Sequence, residues 1–247
     1  MAKAGEKQYF DLIGEEGVVD SLNKPFSEAE RGLYLARIGA IMTMLPPPPA
    51  KVLDLGCGTG WTSVFYARSG YEVVGQDIAE NAIEHATRFA DENGIENVTF
   101  VASDYEDLDG EATFDAAVFF DSLHHAEDEY AALASAYRML RPGGICLTCE
   151  PGVNHGDAPG SIEAVERYGV TEKDMPPKTI AKAARAAGFR QTKFFPDPLL
   201  LNQLAFETTP KVTWKQRLVG IAPVRALAIV YATTFHRRNS GIAQLVK

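Results

Sequence analysis

A doubly wound α/β fold with a mostly parallel sheet is predicted by three observations. Short apolar runs alternate with helical patterns between residues 50 and 196, one run passes straight into a glycine-rich turn, and acidic residues close successive runs. Such alternation is the signature of βαβ units. In open α/β sheets ligands bind beyond the carboxyl ends of the strands, which is where the turn and the acids fall. At 247 residues the chain has room for one such domain plus decoration.

The elements follow in order. The segment up to Leu45 reads as helical, with Ser27-Glu28-Ala29-Glu30 as a capping box ahead of Leu33, Leu35, Ile38, Ile41, Met42 and Leu45. Pro46-Pro47-Pro48-Pro49 ends that helix and makes a stiff, extended linker. Strands are expected at Lys51–Leu55, Glu72–Gln76, Val98–Val101, Phe114–Phe120 and Ile145–Cys149, separated by helices near Thr62–Ser69, Ala79–Asn93 and Ala126–Leu140. Gly94 stops the second helix, and Arg141-Pro142-Gly143-Gly144 stops the third. A helix at Pro177–Ala187, a strand at Arg190–Phe195 and a last strand at Ile242–Val246 complete the core. Residues 197–240 are too long for an ordinary connection and are expected to fold as an inserted helical cap. The domain reading is therefore a helical lid and linker (1–49), a core (50–196), the cap (197–240) and a final core strand (241–247).

Composition narrows the function classes. Hydrophobic residues make up 46% and charged residues 23%, which excludes a disordered chain and a coiled coil. The amino terminus lacks the apolar core of a signal peptide, and no stretch reads as membrane-spanning, so a cytoplasmic location is expected. Cys57, Cys146 and Cys149 are too few for a disulfide scaffold. Cys146 and Cys149 have C-x-x-C spacing, but inside a strand alternation sends them to opposite faces, so they read as small buried hydrophobes. A net charge of −9 argues against nucleic acid as a partner. The charge is uneven: residues 211–247 hold seven Lys/Arg and no Asp/Glu, against 17 basic and 33 acidic side chains, net −16, before them.

The turn Gly56-Cys57-Gly58-Thr59-Gly60 follows strand Val52-Leu53-Asp54-Leu55 and opens a helix near Trp61. Glycines there let the backbone approach a ligand closely. The spacing is G-x-G-x-G and not the dinucleotide G-x-G-x-x-G, and Asp54 sets a negative charge where a pyrophosphate would lie. A ligand carrying an ammonium and a sulfonium suits the turn better. Asp77 ends the next strand about twenty residues beyond the glycines, where a carboxylate accepts the hydroxyls of an adenosine ribose. Asp104, followed by Tyr105, ends the third strand and can accept an adenine amino group.

These segments, with Phe114-Asp115-Ala116-Ala117-Val118 and Leu140-Arg141-Pro142-Gly143-Gly144, resemble in order the successive motifs of class I, Rossmann-like methyltransferases over about residues 50–150. The resemblance implies a seven-stranded sheet with an antiparallel last strand and S-adenosylmethionine as methyl donor, left as S-adenosylhomocysteine. It implies cofactor contacts from Asp54, Gly56, Cys57, Gly58, Gly60, Asp77, Ile78, Asp104, Tyr105 and Phe120.

In the family the end of the fourth strand passes beside the transferred methyl. Here it reads Phe120-Asp121-Ser122-Leu123-His124-His125. Methyl transfer is an in-line displacement, so positioning does most of the work and a base is needed only when the acceptor must lose a proton. An imidazole suits a hydroxyl or amine acceptor, making His124 and His125 the catalytic candidates, with His155 after the fifth strand as a third. His85 and His236 are given no role, and no carboxylate cluster for a catalytic magnesium is evident, so no metal is expected. The segment departs from the Asp/Asn-Pro-Pro-Tyr/Phe pattern of amino-group methyltransferases acting on nucleic acids.

The expected partner is a small-molecule acceptor, methylated on oxygen or nitrogen, with a lean towards saccharides or secondary metabolites. Apolar residues of 212–238 with basic flanks allow a second partner, an anionic membrane surface or a lipid-linked substrate, against the plainer reading of a cap packed on the sheet. The rival readings are a non-catalytic S-adenosylmethionine-binding regulator or partner subunit and, less favoured, an NAD-dependent oxidoreductase.

Overall fold

In the computed structural model, residues 2–206, 214–234 and 240–247 are described. Seven strands form one sheet: β1 (Lys51–Leu55), β2 (Glu72–Asp77), β3 (Val98–Ala102), β4 (Phe114–Phe120), β5 (Leu140–Glu150), β6 (Gln191–Phe195) and β7 (Gly241–Val246). Their order is β3-β2-β1-β4-β5-β7-β6. β1 to β5 run parallel, with Val52 beside both Val73 and Ala116, while β7 lies antiparallel between β5 and β6. The chain order reverses at β1 and β4, so the carboxyl ends of those strands flank the switch point where ligands of such sheets bind.

Alternation along the strands supplies two cores. Leu53, Leu55, Ala117, Phe119 and Cys146 pack on one face; Val52, Ala116, Val118, Phe120 and Cys149 pack on the other. Cys146 and Cys149 are free, buried thiols on opposite faces, as alternation requires. The first face is covered by α6 (Glu129–Met139) and α8 (Pro177–Ala187). Part of the second is covered by α3 (Arg31–Met44) and α4 (Trp61–Arg68). α5 (Glu80–Glu92) follows β2 and packs near the β2–β3 edge.

Two helices the sequence left as one stretch, α1 (Ala2–Leu12) and α2 (Gly14–Leu22), contact α5, and α1 also contacts α7 (Pro159–Tyr168). They thereby lie across the carboxyl edge of the sheet. Among the described residues of 197–240 are α9 (Pro198–Ala205), α10 (Trp214–Val219) and α11 (Ala222–Thr234), with α9 against α3 and α11 against α9. Pro223 stands in the first turn of α11, where a missing N–H costs nothing, and so divides α10 from α11. Residues 207–213 and 235–239, which carry Lys211, His236, Arg237 and Arg238 of the basic stretch, lie outside the described residues.

Four sequence expectations need correction. The capping box does not form: α3 begins at Arg31 without a side-chain cap, and the Ser27 hydroxyl donates to the Asp20 carbonyl instead. The helix expected from Ala126 starts at Glu129, because Asp128 accepts the Tyr130 and Ala131 amides and residues 123–125 form a single 3-10 turn. Arg141-Pro142-Gly143-Gly144 does not separate helix from strand. It lies within β5, whose Leu140 already pairs with Phe114, and the register irregularity between Phe114 and Ala116 absorbs the proline and glycines. Finally, α7 was not expected.

Candidate active site

The glycine turn is held from below by β2. Gly56 and Cys57 both donate backbone N–H groups to the Gln76 carbonyl, and Gly60 donates to the Cys57 carbonyl. Gly56, Gly58 and Gly60 have φ of +71°, +54° and +83°. At Gly56 the need for glycine is also steric: a Cβ would lie 2.6 Å from the Ser122 Cβ, so the end of β4 touches the turn. The Ser122 hydroxyl completes that junction by donating to the Leu55 carbonyl at 2.7 Å.

Asp54 is 1% exposed and turned towards α4, where one carboxylate oxygen accepts both the Thr62 and Ser63 hydroxyls at 2.6 Å. Burial pushes its carboxyl up to about 6, with the two hydroxyls acting against the shift. It therefore braces the turn to the helix from beneath. Cys57 is buried as well. Asp77 reaches up from the end of β2 to accept the Gly58 amide at 2.8 Å with one oxygen and the Ala79 amide at 2.9 Å with the other. Burial raises its pKa, partly offset by those two amides. A carboxylate has about four acceptor sites, so the Gly58 and Ala79 amides leave about two of those of Asp77 untaken. At the same edge the buried Gln76 Oε1 and Ser103 Oγ have no protein partner, which leaves hydrogen-bonding capacity at the ends of β2 and β3. These features fit an adenosine ligand. Ile78 stands half-buried beside Asp77, and Phe120 is buried with its ring edge-on to Trp61.

α1 and α2 bear on the same edge. Lys3 pairs with Asp104 at 2.6 Å and Glu106 at 3.0 Å, the Phe10 ring comes within 3.2 Å of where a Gly58 Cβ would stand, and Asp11 accepts from Asn81. Ser21 meets the Thr59 hydroxyl at 2.8 Å. Tyr105 spans from β3 to β4, donating to the Ser122 carbonyl at 3.1 Å. Phe10 thus sits on the turn itself, and Asp104 engages Lys3 of α1.

Beyond β4 and β5 the three candidate histidines come together. His124 and His125 rings are 4.0 Å apart by centroid, and His124 and His155 rings 4.9 Å. The fully buried Glu150 side chain organises them: it accepts the amides of Ser122, Leu123 and His124 at 3.2, 3.0 and 3.2 Å, and His124 Nδ1 at 2.8 Å. Four donors offset the desolvation of that carboxylate. With Nδ1 committed as donor, Nε2 of His124 is left free to accept, and it lies 3.6 Å from Glu172. His155 Nε2 is 2.6 Å from the same Glu172 oxygen. His125 Nδ1 meets the Thr171 carbonyl at 2.6 Å and Glu6 of α1 at 3.6 Å. Burial works against charging His125, but Glu6, Glu172 and the Thr171 carbonyl raise its pKa to about 9. Two non-glycine residues with positive φ, Asp121 (+56°) and Asn154 (+64°), sit in the loops that carry the cluster.

Sequence reasoning named the histidines but missed Glu6, Glu150 and Glu172. Glu150 closes a strand just as Asp77 and Asp104 do, so the same strand-end signal was available for it. Glu6 and Glu172 carry no local signal, being brought in by α1 and by the segment before α8.

The sheet order and the antiparallel β7 are those expected of the Rossmann-like methyltransferase fold. Residues 52–144 match the family model described as a methyltransferase domain. Its relatives include an S-adenosyl-L-methionine-dependent Diels-Alderase of Talaromyces variabilis, 33% identical over 102 residues that cover 40% of this chain and 35% of the relative. A ubiquinone biosynthesis O-methyltransferase of Xanthomonas axonopodis pv. citri is 34% identical over 44% of this chain and 46% of its own length. The chain thus spans less than half the length of these curated relatives. Among solved structures the [4+2]-cyclase SpnF has the same fold, with a TM-score of 0.59 at 21% identity over 97% of this chain and 94% of that one. So does phosphoethanolamine N-methyltransferase 2 of Haemonchus contortus in complex with S-adenosyl-L-methionine, with a TM-score of 0.64 at 19% identity over 97% of this chain and 57% of that one. Among the described residues, no helix is long and apolar enough to cross a membrane.

Proposed function

We propose that the protein transfers a methyl group from S-adenosylmethionine to an oxygen or nitrogen of a small molecule, with saccharides or secondary metabolites as the substrate classes in view. One observation carries this reading: Ser122 joins the glycine turn to the loop bearing His124 and His125, so a cofactor edge and a cluster of imidazoles adjoin at the switch point. The cofactor supplies an electrophilic methyl when bound. In this reading the Gly56, Cys57, Gly58 and Gly60 backbone and Asp77 hold it, with Ile78, Asp104, Tyr105 and Phe120 around the adenosine, and Asp54 acts only through the turn. Asp104 then serves after Lys3 is displaced from it. His124, oriented by Glu150, and His155 take the acceptor's proton, while His125, kept charged near neutral pH by its raised pKa, orients the acceptor as a donor. In the same reading residues 1–49 serve as a lid and linker and 197–240 as a cap on the 50–196 core, with 241–247 as its last strand.

The test is incubation with labelled S-adenosylmethionine and fractionated extract of the source organism, followed by mass identification of the labelled product. A labelled small molecule with stoichiometric S-adenosylhomocysteine is expected; cofactor binding without any labelled product would favour a regulator or partner subunit.

A second reading is favoured by a specific observation. Two of the similar proteins are described as an S-adenosyl-L-methionine-dependent Diels-Alderase and a [4+2]-cyclase, which supports ring closure as an alternative use of the site. The histidine cluster favours proton removal and hence transfer. An isomeric product with no S-adenosylhomocysteine formed would reverse that preference.

The cap suggests a contact with an anionic membrane surface. Ile221, Leu227, Val230 and Tyr231 of α11 and its approach are 51–71% exposed, within a stretch that is basic and free of acids. Salt-sensitive sedimentation with phosphatidylglycerol vesicles, lost on Leu227→Ser with Val230→Ser, is the expected result; no sedimentation of the intact protein would leave α11 as cap alone.

A further inference from the structure

Among the described residues, one group of histidine, cysteine and acidic side chains has ligand atoms gathered closely enough to share an ion: those of His124, His125 and Glu172 lie within 4.8 Å of one another. Three further observations concern what surrounds that group. First, the outer nitrogens are already committed. His124 Nδ1 meets the buried Glu150 carboxylate and His125 Nδ1 the Thr171 carbonyl, which leaves Nε2 of each ring for an ion, one that must displace the proton His125 carries near neutral pH. Orientation of imidazoles by a carboxylate and a backbone carbonyl is the outer arrangement that metal-binding histidines require. Second, Glu172 is itself held in place, because His155 Nε2, outside that group, hydrogen-bonds to its Oε2 at 2.6 Å. Third, Thr171 Oγ1 is buried beside His125 without a protein partner, so polar capacity at the cluster is unused.

We propose that His124, His125 and Glu172 form a binding site for a divalent transition-metal ion, with His155 holding Glu172 from outside. Two imidazoles and one carboxylate are a borderline donor set, suited to zinc, cobalt, nickel or iron(II) and ill suited to magnesium or calcium, which take oxygen ligands. Glu150 and the Thr171 carbonyl are positioning groups that hold the rings. Glu6 of α1 lies 3.6 Å from His125 Nδ1 and accepts the Thr171 amide at 2.7 Å, so the lid closes against the same cluster.

The ion deepens the reading of this cluster as the acceptor site and, for its chemical role, rests on it. An acceptor hydroxyl bound to the ion releases its proton far more readily than a free alcohol does. His124 and His125 then serve as ligands, and the proton passes to His155 beside Glu172. Ion binding itself requires neither turnover nor methyl donor, which separates the two claims.

The test titrates the full chain, dialysed against chelator, with Co²⁺ and Zn²⁺ by calorimetry and follows the visible absorption of the Co²⁺ form. One ion per chain is expected, with a cobalt spectrum typical of nitrogen-rich, low-coordination sites. Glu172→Gln, a conservative change at a partly exposed side chain, should weaken binding at least tenfold, and His124→Ala more. His85→Ala, on α5, should leave affinity unchanged. S-adenosylhomocysteine affinity, measured on the same samples, reports whether each variant is folded. No binding by the wild type, or binding that Glu172→Gln leaves untouched in folded protein, overturns the site. Full turnover in chelator with S-adenosylhomocysteine binding intact would remove the ion while leaving methyl transfer standing.

Discussion

The two halves of the carboxyl edge are built differently. At the ends of β1, β2 and β3 the structure relies on backbone: positive-φ glycines, amides donated to Asp77, and a buried Asp54 that ties the turn to α4. At the ends of β4 and β5 it relies on side chains, with three histidines aligned by Glu150 and Glu172 and approached by Glu6 from the lid. A backbone-built half suits a ligand common to a whole fold class. A half built of side chains on separate segments suits a ligand particular to this chain, which is why the acceptor is proposed to bind there.

This difference can be broken or sharpened in several ways. The largest effect is expected from His124→Ala with His125→Ala, which should slow transfer by about two orders of magnitude or more while S-adenosylhomocysteine affinity stays nearly unchanged. Wild-type rates would move the base to His155 or off the cluster. Glu150→Gln comes next. An amide cannot accept from all four donors as the carboxylate does, so a loss of about ten- to a hundredfold in kcat is expected, with KM little altered. A fall in KM-independent activity no larger than that in thermal stability would reduce Glu150 to a structural role.

Phe10→Ala probes the boundary between the halves and should affect kinetics more than equilibrium. Because the ring rests on Gly58, its removal should speed S-adenosylhomocysteine release several-fold in stopped-flow experiments. An unchanged rate would mean that α1 opens without regard to that contact. The smallest effect is on stability. Asp54 has a folded-state pKa of about 6, raised from 3.8 by burial, so the folded chain retains a proton that the unfolded chain releases. Its contribution is fully present below the unfolded value and is lost as pH rises through about 6. Asp54→Asn should therefore flatten the decline in urea midpoint between pH 4 and 6.5, and an identical slope in both proteins would count against the shift.

Legibility in the sequence follows the same division. The strands and the turn were readable because alternation and glycine spacing are local properties, and Asp77 and Asp104 stand at strand ends that alternation already defines. The β5 start was misread because proline and glycines that usually break structure are tolerated where β4 and β5 pair irregularly. α7 escaped because its apolar residues Ile162 and Val165 are 46% and 43% exposed, so no buried stripe marks it. The Glu172–His155 and Glu6–His125 pairs are legible only in three dimensions, since each joins segments whose meeting depends on packing of α1, α7 and α8 around the loop.

The most direct test is calorimetric titration of S-adenosylhomocysteine into the full chain and into Asp77→Ala. Stoichiometric binding by the wild type, weakened at least tenfold in the variant through loss of charge-assisted hydrogen bonds to the ribose, is the predicted result. Equal affinity in both proteins, or binding of NAD in place of S-adenosylhomocysteine, would contradict it.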